Sequence, residues 1–201
     1  MAQNRRAFLG MAALSAGAMT FSNQIFGNTH GSKMVDYDLP KSIADLKPMT
    51  DGVVPISVEE RKQRIAKAQQ LMDQNKIDAI FLEGTVSCTY FTGMRWGQSE
   101  RTFGIVIPAK GSITYICPKF EEDRAMELII PAYGTEVRCW EEHESPYALI
   151  VGVVKDRGVQ HHKIGMEERV RFFIANGVQK IATGFEIVDA TPITAGCRMF
   201  K

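Results

Sequence analysis

Residues 77–108, IDAIFLEGTVSCTYFTGMRWGQSERTFGIVIP, decide how this chain is read. The stretch begins and ends on short apolar runs, Asp78–Leu82 and Phe103–Pro108, of the length and composition of buried strands. Between them runs a connection punctuated by glycines that carries Tyr90, Trp96 and Arg101. Aromatic and cationic side chains on a glycine-containing connection are where an α/β scaffold commonly meets a ligand or partner.

Outward from that stretch, strand and helix patterns alternate. Ser57 and Glu60 form a Ser-x-x-Glu capping box, which satisfies two orphan amides at a helix start. The helix runs to about Asn75, with Ile65, Ala68, Leu71 and Met72 on one apolar stripe. Phe103–Pro108 and Ile113–Pro118 pair as a hairpin around Ala109-Lys110-Gly111. A helix over Phe120–Ile130 stops at Pro131, and a strand follows over Glu136–His143. Ser145 caps the next helix, with Pro146 at its favoured first position and Gly158 as its stop. Lys163–Glu167 is a strand, Val170, Ile174, Val178 and Ile181 mark a helix, and Glu186–Ala190 is a last strand. The alternation predicts an α/β fold, a mixed sheet flanked by helices, in one domain over residues 56–192.

With 201 residues, 45% hydrophobic and 23% charged, the chain has the composition of a globular protein with a sizeable core. A formal net charge of +1 excludes an electrostatic footprint for nucleic acid. The cysteines, at 88, 117, 139 and 197, contain no C-x-x-C pair and read as small buried hydrophobes. The alternative is a Cys117–Cys139 disulfide between neighbouring strands, which export would permit.

Asn4-Arg5-Arg6-Ala7-Phe8-Leu9-Gly10 has the twin-arginine pattern, and Ala7–Phe21 is an uncharged run of 15 residues. That is short for a membrane span and suits a signal segment. Residues 1–27 therefore read as an export signal to the periplasm, leaving no membrane attachment after its removal, and residues 28–55, with Pro40, Pro48 and Pro55, as an extended linker.

No P-loop, dinucleotide fingerprint, nucleophile elbow or H-E-x-x-H pattern occurs. Glu141-Glu142-His143-Glu144 is the densest set of metal-ligating types, but on a strand it offers only two ligands per face, Glu141 with His143 on one. His161-His162 reads as part of a surface loop. Catalytic and metal residues are therefore not expected in this chain. Trp96 and Arg101 admit two readings: a ring closing the sheet edge with arginines paired to glutamates, or a loop whose indole and guanidinium meet an aliphatic ring and a carboxylate.

These residues resemble the N-terminal domain of the creatinase/prolidase/Xaa-Pro aminopeptidase family. The likeness is carried by Glu60-Arg61 to Met72 with Ile77-Asp78-Ala79, and by Tyr90-Phe91-Thr92-Gly93 with the Arg101 loop. It continues through Trp140-Glu141-Glu142, Ile164-Gly165-Met166-Glu167 and Thr194-Ala195-Gly196-Cys197-Arg198-Met199, and covers residues 56–201. The resemblance implies a six-stranded α/β unit that holds no catalytic ligands. It also implies that residues 193–201 start a connection to a catalytic domain, where two Asp, one His and two Glu bind two divalent metals, often manganese. On this reading the chain ends where that domain begins and is inactive alone. Its parent is a Xaa-Pro aminopeptidase acting on proline-containing peptides, a homo-oligomer in which Tyr90, Trp96 and Arg101 serve the substrate entrance or a partner subunit. A creatinase-like amidinohydrolase as parent, or a stand-alone binding module, are the alternatives.

Overall fold

The computed structural model describes residues 40–199; the twin-arginine segment and Lys201 lie outside them. The chain divides into two units, Met1–Val53 and Val54–Lys201. In the first, the described residues are all exposed and form one helical turn, α1 (Lys41–Ala44), within the segment read as extended.

The second unit holds the sheet. Its order is β4-β3-β2-β1-β5-β6, with β1 (Ala79–Glu83), β2 (Gly104–Pro108), β3 (Thr114–Pro118), β4 (Glu136–Trp140), β5 (Lys163–Met166) and β6 (Glu186–Asp189). Only β2 runs antiparallel to its neighbours; β1 pairs with β5, β3 with β4 and β5 with β6 in parallel. The mixed, six-stranded α/β fold expected from the sequence is what forms.

Alternation along the strands makes two cores. Ile80, Leu82, Ile105, Ile107, Tyr115 and Cys117 face α2 (Val58–Asn75), α3 (Val86–Thr92), α4 (Glu122–Leu128) and α7 (Thr191–Arg198). Ala79, Phe81, Val106, Ile116, Ile164 and Met166 face α5 (Pro146–Asp156) and α6 (Phe172–Ile181). With helices on both sides, β1, β2 and β3 are buried at every position, which is why they read as continuous apolar runs. Among the described residues no helix is long and apolar enough to cross a membrane.

Four local readings change. The capping box at α2 is half formed: Ser57 Oγ accepts from the Glu60 amide at 3.1 Å, but the Glu60 carboxylate turns to Arg64 one helical turn on. An ion pair replaces the return bond to the cap. Strand β4 ends at Trp140, because Glu141–Glu144 close a turn, with Glu144 N donating to Glu141 O and Glu141 N to a Glu144 oxygen, both at 2.8 Å. Glu141 and His143 therefore do not share a strand face. Two helices, α3 and α7, were not legible. Both are short and rich in Thr, Ser, Cys and Gly, and tertiary burial of Ser87, Cys88 and Phe91, and of Ile193 and Cys197, overrides their weak propensity. Cys117 and Cys139 do lie in register across β3 and β4, as free thiols; burial pushes Cys117 up to about 12 and Cys139 up to about 11.

Gly104 shows how tightly the sheet is closed. It pairs with Glu83, and a Cβ there would lie 2.4 Å from the Leu82 carbonyl oxygen and 2.6 Å from Phe81 Cζ. A backbone carbonyl cannot rotate away. Gly104→Ala is therefore expected to cost roughly 3 kcal/mol by overpacking, read as a lowered urea midpoint; an unchanged midpoint would contradict this register.

Candidate functional site

The adjacent parallel strands β1 and β5 end side by side, and the loops that leave them build the site. Glu83, the last residue of β1, is only 2% exposed. Its carboxylate accepts from Arg171 Nε at 2.7 Å, from the Arg171 amide at 3.2 Å and from Gln98 Nε2 at 2.9 Å. One buried charge thus ties the start of α6 and the Trp96 loop to the sheet. The Arg171 guanidinium also donates to the Arg101 carbonyl at 3.5 Å.

Trp96 stacks on Phe103, with centroids 3.7 Å apart and planes 9° apart. The Arg124 guanidinium sits 4.4 Å from the indole centroid. A face filled by a ring at stacking distance leaves no room for that cation, so Arg124 covers the opposite face. A Cβ on Gly84 would lie 3.2 Å from Trp96 Cδ1, which sets the indole edge against the turn after β1. Arg101 pairs with Glu142 at 2.6 Å and with Glu100, and lies 5.0 Å from the centre of the Phe120 ring. Tyr90 has the Arg64 guanidinium 4.2 Å and the Arg198 guanidinium 5.2 Å from its ring centre, and donates to the Cys197 carbonyl at 3.0 Å. The three candidates therefore have three different settings: Tyr90 anchors α7, Trp96 packs across the end of the central strands β1 and β2 rather than at a sheet edge, and Arg101 joins its loop to the turn after β4.

Sequence reasoning missed Glu83, Arg171 and a second buried carboxylate. Glu167, just after β5, accepts from Ser87 Oγ, which itself accepts from Arg198; Arg198 lies 3.7 Å from Glu167 Oε1. Its other oxygen, Oε2, is buried without a hydrogen-bond partner. The available signal was an acid at the end of each apolar strand, Phe81-Leu82-Glu83 and Gly165-Met166-Glu167, where an unpaired charge would be costly.

Between these loops lies a cleft of about 530 Å³, lined among others by Gly84, Thr85, Val86, Arg95, Trp96 and Arg169. As a metal centre the chain offers little: among the described residues no three His, Cys, Asp or Glu side chains come together, and Glu141–Glu144 are exposed.

Residues 64–200 match the family described as the creatinase/prolidase N-terminal domain. The chain belongs to that family. It is 33% identical over 172 residues to an uncharacterized peptidase of Schizosaccharomyces pombe, covering 80% of this chain and 37% of that protein. Among solved structures it is similar in fold to the dipeptidase PepE of Mycobacterium ulcerans, with TM-score 0.62 and 23% identity over 70% of this chain and 37% of that one. It also resembles the creatinase/prolidase N-terminal domain of an X-Pro dipeptidase from Streptococcus pyogenes, with TM-score 0.55 and 19% identity over 67% of this chain and 98% of that domain. The chain thus spans just over a third of the two longer relatives.

Proposed function

We propose that the chain is the non-catalytic N-terminal domain of an exported Xaa-Pro peptidase. In this reading it makes oligomer contacts and forms one wall of the entrance through which proline-containing peptides reach a catalytic domain. The two divalent metals, manganese foremost, belong to that other domain. Export by the twin-arginine route to the periplasm is part of the same reading, resting on Arg5-Arg6 and the uncharged run behind them.

The observation that carries the entrance role is the Glu83 clamp. A loop bearing Trp96 and Arg101 is bound to the end of the sheet by hydrogen bonds to the Glu83–Arg171 pair, from Gln98 Nε2 to Glu83 and from Arg171 to the Arg101 carbonyl, yet keeps Arg95, Gln98, Ser99 and Glu100 exposed. A rigid, polar-tipped loop on a stable scaffold suits presentation to a neighbour better than an internal role.

Two measurements test it. The 201-residue chain with manganese and an Ala-Pro peptide is expected to give no turnover, and turnover would overturn the reading. Fused in frame to a family catalytic domain, it is expected to support hydrolysis. There Arg101→Ala raises KM several-fold with kcat unchanged, the pattern of lost uniform binding. Unaltered KM in that fusion would remove Arg101 from the entrance.

A further inference from the structure

The cleft at the ends of β1 and β5 has a property that an entrance wall does not require. Arg95 and Arg169 line it from separate loops, and both are exposed. They are the two arginines among the described residues with neither a hydrogen-bond nor an ion-pair partner. Every other described arginine pairs with a carboxylate or donates to a carbonyl or hydroxyl oxygen. In a chain that pairs its guanidinium groups so consistently, two free ones on one cleft need a reason.

The cleft is already organised around them. Trp96 is held between Phe103 and Arg124, Gln98 is held by Glu83, and the Thr89 hydroxyl donates to the Met94 carbonyl at 2.8 Å. The walls are thus set before any ligand arrives, which lowers the ordering cost of binding. Thr85, on the same cleft, has a buried hydroxyl without a hydrogen-bond partner. Val86 adds an apolar side chain that is 64% exposed. A volume of about 530 Å³ lies in the range of small-ligand sites.

We propose that this cleft binds the C-terminal carboxylate of a short peptide whose last side chain is apolar. The guanidinium forks of Arg95 and Arg169 match the two carboxylate oxygens. The Thr85 hydroxyl gains an acceptor by rotation about χ1, and the terminal side chain covers Val86. Inorganic phosphate would satisfy the cations but leave that apolar wall bare. That the anion belongs to a peptide rests on the entrance reading above; that it is a carboxylate rests on the cleft itself.

The test is calorimetric titration of the 201-residue chain with Ala-Pro-Leu as free acid, the same peptide as C-terminal amide, and inorganic phosphate. The acid is expected to bind at least roughly tenfold tighter than the amide or phosphate, as loss of charge-assisted bonds implies. Arg95→Ala and Arg169→Ala should each weaken the acid roughly tenfold and leave the amide unchanged. Both residues are exposed and unpaired, so thermal unfolding of either variant should match that of the parent chain. Equal binding of acid and amide, or tighter binding of phosphate, overturns the carboxylate site while the entrance reading stands. Loss of a dimer in either variant by size exclusion reassigns the cleft to a second copy of the chain and likewise overturns it. Failure of the entrance reading shows instead in the KM of the fused enzyme.

Discussion

Arg171→Ala is expected to destabilise the second unit by about 3 kcal/mol, the cost of breaking a buried ion pair from one side. Glu83 is buried to 2% exposure, and its carboxylate is paired with this guanidinium. Truncating Arg171 leaves the charge in the interior with the Gln98 amide and a backbone N–H as its remaining donors. A pair broken from one side costs far more than a pair replaced from both sides. The double variant Glu83→Met/Arg171→Leu should therefore be more stable than Arg171→Ala alone. Urea unfolding of the parent chain, Glu83→Met, Arg171→Leu and the double variant measures the coupling. A single-variant loss under about 1 kcal/mol would mean that water takes the guanidinium's place and the clamp is weak. The same variant removes the guanidinium that donates to the Arg101 carbonyl, so faster amide exchange around residue 101 is the accompanying readout.

Asp78→Ala should cost a similar amount, about 3 kcal/mol, at the opposite end of β1. Asp78 is 6% exposed, and its carboxylate accepts from the amides of Gln160 at 2.7 Å, His161 at 3.0 Å and Lys163 at 2.9 Å. Those donors belong to the turn between α5 and β5, where His162 adopts a positive φ of 55°, and to Lys163, the first residue of β5. Without the carboxylate three amides lose their acceptor, while the backbone bonds from Asp78 N to the Lys163 carbonyl and from Glu186 N to the His162 carbonyl remain. The effect depends on pH in a definite direction. Burial by itself would raise the Asp78 pKa, but the amides of Gln160, Lys163 and His161 outweigh it and hold the group below its ordinary value. Its contribution is thus complete above the unfolded pKa of about 3.9 and is lost as pH falls through the lower folded value. The parent chain should lose stability on acidification below about pH 4, and Asp78→Ala should show a shallower acid limb in thermal unfolding. An identical limb in both proteins would show that Asp78 titrates alike folded and unfolded.

How far the sequence could be read follows from the range of each interaction. The α2 stripe, the β2–β3 hairpin, the Ser145-Pro146 start of α5 and the Gly158 stop are local signals, and they appear where expected. The end of β4 was overrun because Glu141 and Glu144 close a turn through a side-chain bond that strand periodicity does not encode. Helices α3 and α7 escaped because their residues form poor helices alone and become helical by burial against α2 and the sheet. The loop that carries Trp96 and Arg101 was recognisable by its composition. The partners of its side chains were not, since Arg124 and Glu142 reach it from later elements.

Apolar periodicity, capping residues and turn glycines, read in order along the chain, were enough to establish an α/β sheet covered by helices and to point to the family. Each of those signals acts over a few residues, so the linear order of amino acids contains it. Which carboxylates are buried, and which cations meet them, was decided only when the chain closed on itself. Glu83 meets Arg171 across 88 residues, Asp78 meets Gln160 across 82, and Glu167 meets Ser87 across 80. A charge in the interior is tolerable only beside its partner, and the packed sheet is what brings the two together. The same closure left Arg95 and Arg169 unpaired on one cleft, a pairing of loops that nothing in their local sequence announces.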